Sequence, residues 1–478
     1  MSFSPAYRPD PAFSKLGDEF SDPVDPADFP AAIERFWNDR WDGAIGLDGL
    51  NAAEREAHFQ RFEPLPDNQP RPRAMRYHGH QFRTYNPDLG DGRGFLHAQL
   101  RDDAGRLLDL ATKGSGQTPW SRGGDGRLTL KGAVREVLAA EMLEALGVQT
   151  SKAFCVFETG EQLARNDEPS PTRSAVLTRL GHSHLRIGTF QRHASEGASD
   201  RIDALISHAI EHYYPHLAGE ADAPAALLSA VVEANARLAA SWMAAGFVHG
   251  VLNTDNINLT GESFDYGPWR FLPHYEPGFT AAYFDEQGLY CFARQPEAVF
   301  WALQQLANAL ALVGERPSLE AALNTYPELY RTALLEAFLS RFGLASAGEA
   351  ADEVLVRSFL AFMEASKLVW EAPMHDWFCG DASADRALSG PRAAAYTGPE
   401  FEAWRSAFSA HQPVRPERLS HALFERQEAV AMVIDQVEAI WAGIADRDDW
   451  SGFADAIGSI RLAGKGFDLG HKRVGFRP

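Results

Sequence analysis

The chain has 478 residues, with 45 Lys and Arg against 65 Asp and Glu and a formal charge of −20. So acidic a surface repels nucleic-acid backbones and anionic lipids, and no nucleic-acid or membrane partner is expected. Apolar residues make up 45% and charged residues 23%, which excludes global disorder and leaves material for more than one packed lobe.

Residues 1–75 are rich in Pro and Asp, with short helical patterns such as DFPAAIERFW interrupted by turns, and are expected to form an N-terminal extension. Their start lacks the apolar core of a secretion signal, and Cys155, Cys291 and Cys379 form no C-x-x-C pair. A reducing, cytoplasmic setting is therefore expected. From Arg76 the pattern changes to short apolar strands. GFLHAQLRD and RLLDLATKG predict a hairpin across a turn at Asp103–Arg106. A helix is predicted from Leu128 to Leu146, with Val134, Val137, Leu138, Met142 and Leu146 on one face and a stop at Gly147. A second helix is predicted from Leu227 to Ala245, carrying Leu228, Val231, Leu238 and Trp242. Gly246 ends it, FVHGVL reads as a strand, and Ile257–Leu259 reads as another. Amphipathic helices follow near 296–313, 318–343, 351–370 and 418–446. The expected class is α+β, with a β-rich N-lobe at 76–190, a helical C-lobe at 191–320 and a helical extension at 321–478.

Chemistry concentrates in HGVLNTDNINLTGESFDYG, residues 249–267. A helix and a strand lead into a loop presenting His249, Asn253, Asp255 and Asn256, and Asp265-Tyr266-Gly267 follows. Protein kinases order their parts in this way: a loop with an Asp base and an Asn metal ligand, then a second metal-binding Asp. Alone, each motif also reads as a polar turn; together and in this order they favour a phosphoryl-type transfer site. Upstream, Gly90, Gly92 and Gly94 let backbone amides approach a polyphosphate, although Asp-Gly is also a hairpin turn. Lys113 on a strand and Glu136 on the next helix have the spacing of a kinase Lys–Glu ion pair. Between them, residues 113–127 form a Gly-rich polar insert. Arg179 and Arg186 are guanidinium forks suited to phosphate, or to salt bridges with the surplus carboxylates. His208-Ala-Ile-Glu-His212 spells an inverted zinc-peptidase motif with no identifiable third ligand, and a solvated helix end explains it equally well.

GHQFRTYNPDLGDGRG, DLATKGSGQTPWSRGGDGRLTLKGAVRE, GFVHGVLNTDNINLTGESFDYGP and YCFARQPEAVFWALQQLANAL are closely similar to signature blocks of the selenoprotein O family. The resemblance covers about residues 76–312. It implies a bilobed protein-kinase-like fold and Mg²⁺-dependent transfer of AMP from ATP to Ser, Thr or Tyr hydroxyls of proteins, with Mn²⁺ as an alternative ion. It further implies that Gly90, Gly92, Arg93, Lys113, Asp125 and Gly126 contact the nucleotide, and that Arg179 and Arg186 contact its phosphates. On the same ground Asp255 is the proton acceptor, Asn256 and Asp265 are the metal ligands, and Glu136 holds Lys113. Spacing alone does not say which phosphorus is attacked, so γ-phosphoryl transfer stays open, as does a non-catalytic nucleotide-binding scaffold. The family blocks fade after about residue 320, and the terminal HKRVGFRP has no Cys or selenocysteine for redox control. GHSHLRIG departs slightly from the usual wording but keeps its Arg.

Overall fold

A computed structural model describes residues 3–166 and 168–469, so the terminal HKRVGFRP lies outside the described residues. The chain is α+β, with one antiparallel sheet followed by a mass of helices. Its first strands are β1 (Ser21–Pro23), β2 (Ile33–Trp37) and β3 (Arg73–Met75), followed by a small separate hairpin of β4 (Gly79–Gln81) and β5 (Thr84–Asn86). The main sheet continues with β6 (Leu96–Arg101), β7 (Leu107–Lys113), β8 (Leu128–Thr129), β9 (Lys152–Leu163) and β10 (Thr172–Gly181). Its order is β1-β3-β6-β7-β10-β9-β2, with β8 also on β10.

The expected hairpin is β6–β7, in which Arg101 lies opposite Leu107. Asp102 shapes its turn by accepting the Ala104 and Arg106 amides at 3.0 and 2.9 Å. DFPAAIERFW behaves differently from the prediction. Its Ile33–Trp37 portion is a strand paired to β9, where the pleat accommodates Ile, Phe and Trp better than an isolated helical turn would. Strands β1 to β3 thus carry part of the first 75 residues into the sheet.

Helix α1 (Ala52–Phe59) lies between β2 and β3, and α2 (Leu130–Ala145) packs against β9 and β10. The latter starts later than predicted because Leu128 and Thr129 pair with β10, and the Thr129 hydroxyl accepts the Gly132 amide at 3.1 Å. The five apolar positions read as its inner face are all buried. Two shorter helices, α3 (Ile187–Ser195) and α4 (Ser199–His212), lead to the long α5 (Ala223–Ala244). Helix α5 starts earlier than predicted. Asp222 accepts the Ala225 amide at 3.2 Å and Pro224 occupies the first turn, where its missing N–H costs nothing.

After α5 only Phe247–Val248 of FVHGVL is extended, as β11, paired with β12 (Arg270–Phe271). Ile257–Leu259 is irregular rather than a strand; Asn258 makes a lone bridge to Arg186. Helix α6 (Gln295–Leu310) matches its prediction closely. The predicted 318–343 helix is two, Arg316–Leu323 and Tyr326–Phe342, with Pro in the first turn of the second. The 418–446 pattern resolves into two short 3₁₀ turns and the helix Ile434–Arg447. An unpredicted helix, Ser451–Phe467, returns to pack on α2, where Gly464 lies against Ala145.

A close backbone contact next to β4 helps to fix the β4–β5 segment to the helical side. The Gly188 carbonyl accepts the His78 amide at 3.1 Å, and a Cβ on Gly188 would stand 2.1 Å from the His78 carbonyl oxygen. Gly188→Ala is therefore expected to cost about 1–3 kcal/mol through overpacking, measured as a lower urea midpoint with an unchanged m-value.

Candidate active site

The site begins with two neighbouring strands. Lys113 ends β7 opposite Leu177 on β10, and Arg179 lies two residues further along β10. Side chains two residues apart share a face of the sheet, so Lys113 and Arg179 project together toward α2. Glu136 meets them there. Its carboxylate accepts from Lys113 Nζ at 2.8 Å and from Arg179 Nε. Asp265 completes the cluster, with its Oδ1 2.9 Å from Lys113 Nζ and 2.7 Å from Arg179 Nη2. Burial pushes the Glu136 carboxyl up, but Arg179 and Lys113 outweigh it and hold the group below the usual range. Asp265 is likewise held well below the carboxylate range: burial opposes this, and Lys113 and Arg179 overcome it.

Asp265 adopts φ of 62°, a left-handed conformation that costs an L-residue about 1–2 kcal/mol and that Asp tolerates better than most. The turn brings its Oδ2 to within 3.0 Å of Asn256 Nδ2. An amide and an ionised carboxylate meeting at one point supply hard oxygen donors, with the amide able to turn its oxygen inward. These residues fit a Mg²⁺ ion that takes its remaining ligands from phosphate and water.

Asp255 lies in the adjoining loop. Its Oδ1 is buried without a hydrogen-bond partner, and burial pushes its carboxyl up to about 6 against the opposing pull of Arg186. The loop is pinned from both sides. Thr254 Oγ1 accepts the His80 amide at 2.7 Å and donates to Gln191 Oε1 at 2.5 Å. Asn253 Oδ1 accepts from the Phe82 amide at 3.0 Å and the Tyr290 hydroxyl at 2.9 Å. His249 Nε2 is 2.9 Å from the Phe264 carbonyl, tying the loop to the residue before Asp265. Arg186 lies 4.3 Å over the Tyr77 ring and reaches Asp91 Oδ1 at 3.1 Å and the Asp255 carbonyl at 3.4 Å.

These groups border a cleft of about 920 Å³. It is lined by Gly90, Gly92, Arg93, Lys113, Asp125, Gly126, Arg179, Arg186, Asp255, Asn256 and Asp265. Of the residues to which the family resemblance gives a role, Glu136 alone stands behind the wall, as a residue that holds others should. Gly90 lies against Trp120, where a Cβ would come within 2.3 Å of the ring. Gly126 has φ of 70° and lies against Gly116, so no side chain fits there. Asp125 sits at the rim, 2.8 Å from Arg165. Tyr77, Asp91, Thr254 and Gln191 were not singled out from the sequence. Asp91 lies between two of the selected glycines, whereas nothing in the local pattern marks Tyr77 or Gln191. His208 and His212 share α4, with ring centroids 4.6 Å apart. Among the described residues, however, no group of three His, Cys, Asp or Glu side chains could hold a metal ion.

A family model described as protein adenylyltransferase SelO matches residues 6–461. The chain belongs to the SelO protein adenylyltransferase family. The match extends well past residue 320, where the signature blocks read from the sequence fade. A protein nucleotidyltransferase YdiU of Gloeobacter violaceus is 44% identical over 95% of this chain and 94% of its own length. The YdiU of Synechococcus elongatus is 41% identical over 96% and 95%, and that of Synechocystis is 41% identical over 95% and 97%. SelO membership bears out the expected enzyme class, a nucleotidyltransferase acting on protein. No described helix is long and apolar enough to cross a membrane.

Removing Glu136 would leave Lys113 and Arg179 buried with only Asp265 between them. Glu136→Ala is expected to cost about 3–5 kcal/mol, the usual effect of breaking a buried ion pair from one side, read by urea denaturation.

Proposed function

We propose that this cleft holds Mg²⁺-ATP and passes its AMP moiety to a serine, threonine or tyrosine hydroxyl of another protein. The observation that carries the proposal is a buried carboxylate with a free oxygen, Asp255, beside the Lys113–Glu136–Arg179–Asp265 cluster in one cleft. The fold proposed is a bilobed kinase-like one. Its N-lobe is centred on residues 76–190, with strands β1–β3 of the 1–75 segment added to its sheet, and its C-lobe on 191–320, followed by 321–478. The strand Lys paired to a helix Glu supports it, as does the loop Asp followed by a second Asp in a turn.

Each group then has a part. Backbone amides around Gly90, Gly92 and Gly126 border the triphosphate, with Arg93 and Asp125 at the nucleotide. Lys113, Arg179 and Arg186 balance its negative charge, and Glu136 keeps the first two aimed. Asn256 and Asp265 would hold the ion, Mg²⁺ or Mn²⁺, which when bound withdraws charge from the phosphate oxygens. Asp255 takes the proton of the attacking hydroxyl, a task suited to a carboxylate made more basic by burial. The hydroxyl oxygen bonds to the α-phosphorus. The bond from that phosphorus to the bridging oxygen breaks, and pyrophosphate leaves with the electron pair.

Wild-type protein and Asp255→Asn, each given Mg²⁺ and ATP labelled at the α- or the γ-phosphorus, test this. Acid-stable label on protein is expected from α-labelled ATP alone. It should fall about 10²–10⁴-fold in Asp255→Asn, with ATP affinity near wild type. Label from γ-ATP would instead establish a kinase, and ATP binding without either label a scaffold.

A further inference from the structure

Exposed aromatic residues are unevenly placed on this surface. Among the described residues the exposed large aromatics are Phe82 (36%), Tyr85 (37%), Tyr283 (85%) and Phe284 (47%). All four fall in two segments: the β4–β5 hairpin and the stretch between β12 and α6. The segments meet. Phe82 and Phe284 rings are 5.9 Å apart, Tyr283 and Phe284 rings 5.2 Å, and Phe82 also packs on Tyr290 at 5.0 Å.

The patch is continuous with the loop that carries Asp255. The Phe82 amide and the Tyr290 hydroxyl both donate to Asn253 Oδ1, and Gln81, next to Phe82, lines the cleft. The hairpin tip is also unusual in its backbone. Phe82 and Arg83 both hold positive φ, 49° and 64°, at a two-residue turn where Asn-Gly is the common choice. An unfavourable backbone that keeps a Phe ring partly exposed beside two other rings points to a use for that ring.

We propose that Phe82, Tyr283 and Phe284 form a docking surface for the acceptor polypeptide, capturing an aromatic or large aliphatic side chain a few residues from the hydroxyl presented to Asp255. The proposal rests on the transferase reading of the cleft. An acceptor chain reaching Asp255 must leave the cleft on one side, and the side beyond Gln81 and Asn253 offers rings that gain by being covered. Aromatic anchors flanking the reaction centre would let one enzyme accept several hydroxyl residues while still choosing among segments.

Fluorescein-labelled peptides with a central Ser, flanked by Phe or by Ala, provide the test by fluorescence anisotropy. Wild type is expected to bind the Phe-flanked peptide at least about tenfold more tightly. The Tyr283→Ala/Phe284→Ala double variant should lose that preference while binding ATP as wild type does. Both side chains are exposed, so the variant should fold. Equal binding of the two peptides by wild type would overturn the proposal, as would a preference that survives in the variant. Sedimentation showing a wild-type dimer that the double variant abolishes would also overturn it, because a second copy would then occupy the patch. Transfer from α-labelled ATP is measured in parallel. Preference without transfer supports the docking surface and contradicts the catalytic reading; transfer without preference does the reverse.

Discussion

Two buried cations and a buried carboxylate meet a second, partly exposed carboxylate, Asp265, at the junction of the sheet with the loops behind it. Lys113 and Arg179 arrive from adjacent strands, Glu136 from α2 and Asp265 from a left-handed turn. No one of these charges could be buried alone, since an isolated ion would lose several kcal/mol of hydration. Each element is therefore held in register by the other three. The sheet places the cations, α2 must present Glu136 to them, and the turn must bring Asp265 across. The cleft is the open side of this arrangement.

The same constraint prepares the site for chemistry. Both carboxylates are kept ionised by the neighbouring cations, which for Asp265 is the state the proposed metal-binding role needs. Asp255 has the opposite environment. It is buried with Arg186 near but without a direct ion pair from its free oxygen, and its carboxyl rises to about 6. Asp255 and Asp265 are thus pushed in opposite directions, as the proposed roles of proton acceptor and metal ligand require.

Much of this was legible in the sequence, for identifiable reasons. The β6–β7 hairpin and the inner face of α2 follow from apolar period and turn chemistry. Lys113, Glu136, Asp255, Asn256 and Asp265 were recognisable because their order along the chain matches the order in which such a site is built. The misread segments depend on distant partners. Ile33–Trp37 is a strand because β9 offers it an edge, and Ile257–Leu259 stops at a single bridge to Arg186 because its partner segment turns into α3 at Ile187. Tyr77 and Gln191 act through Arg186 and Thr254, contacts that no local pattern announces. The helix Ser451–Phe467 was missed although its product is plain: it covers the outer side of α2 and so backs the helix that carries Glu136.

In the proposed reaction Asn256 and Asp265 receive the metal ion while the α-phosphorus of ATP faces Asp255. A crystal structure with Mn²⁺ and a non-hydrolysable ATP analogue, with anomalous scattering to place the metal, tests this most directly. A manganese peak is expected within coordination distance of the Asn256 and Asp265 oxygens, with the α-phosphate as the phosphate nearest Asp255. A peak elsewhere, or the γ-phosphate at Asp255, would contradict it.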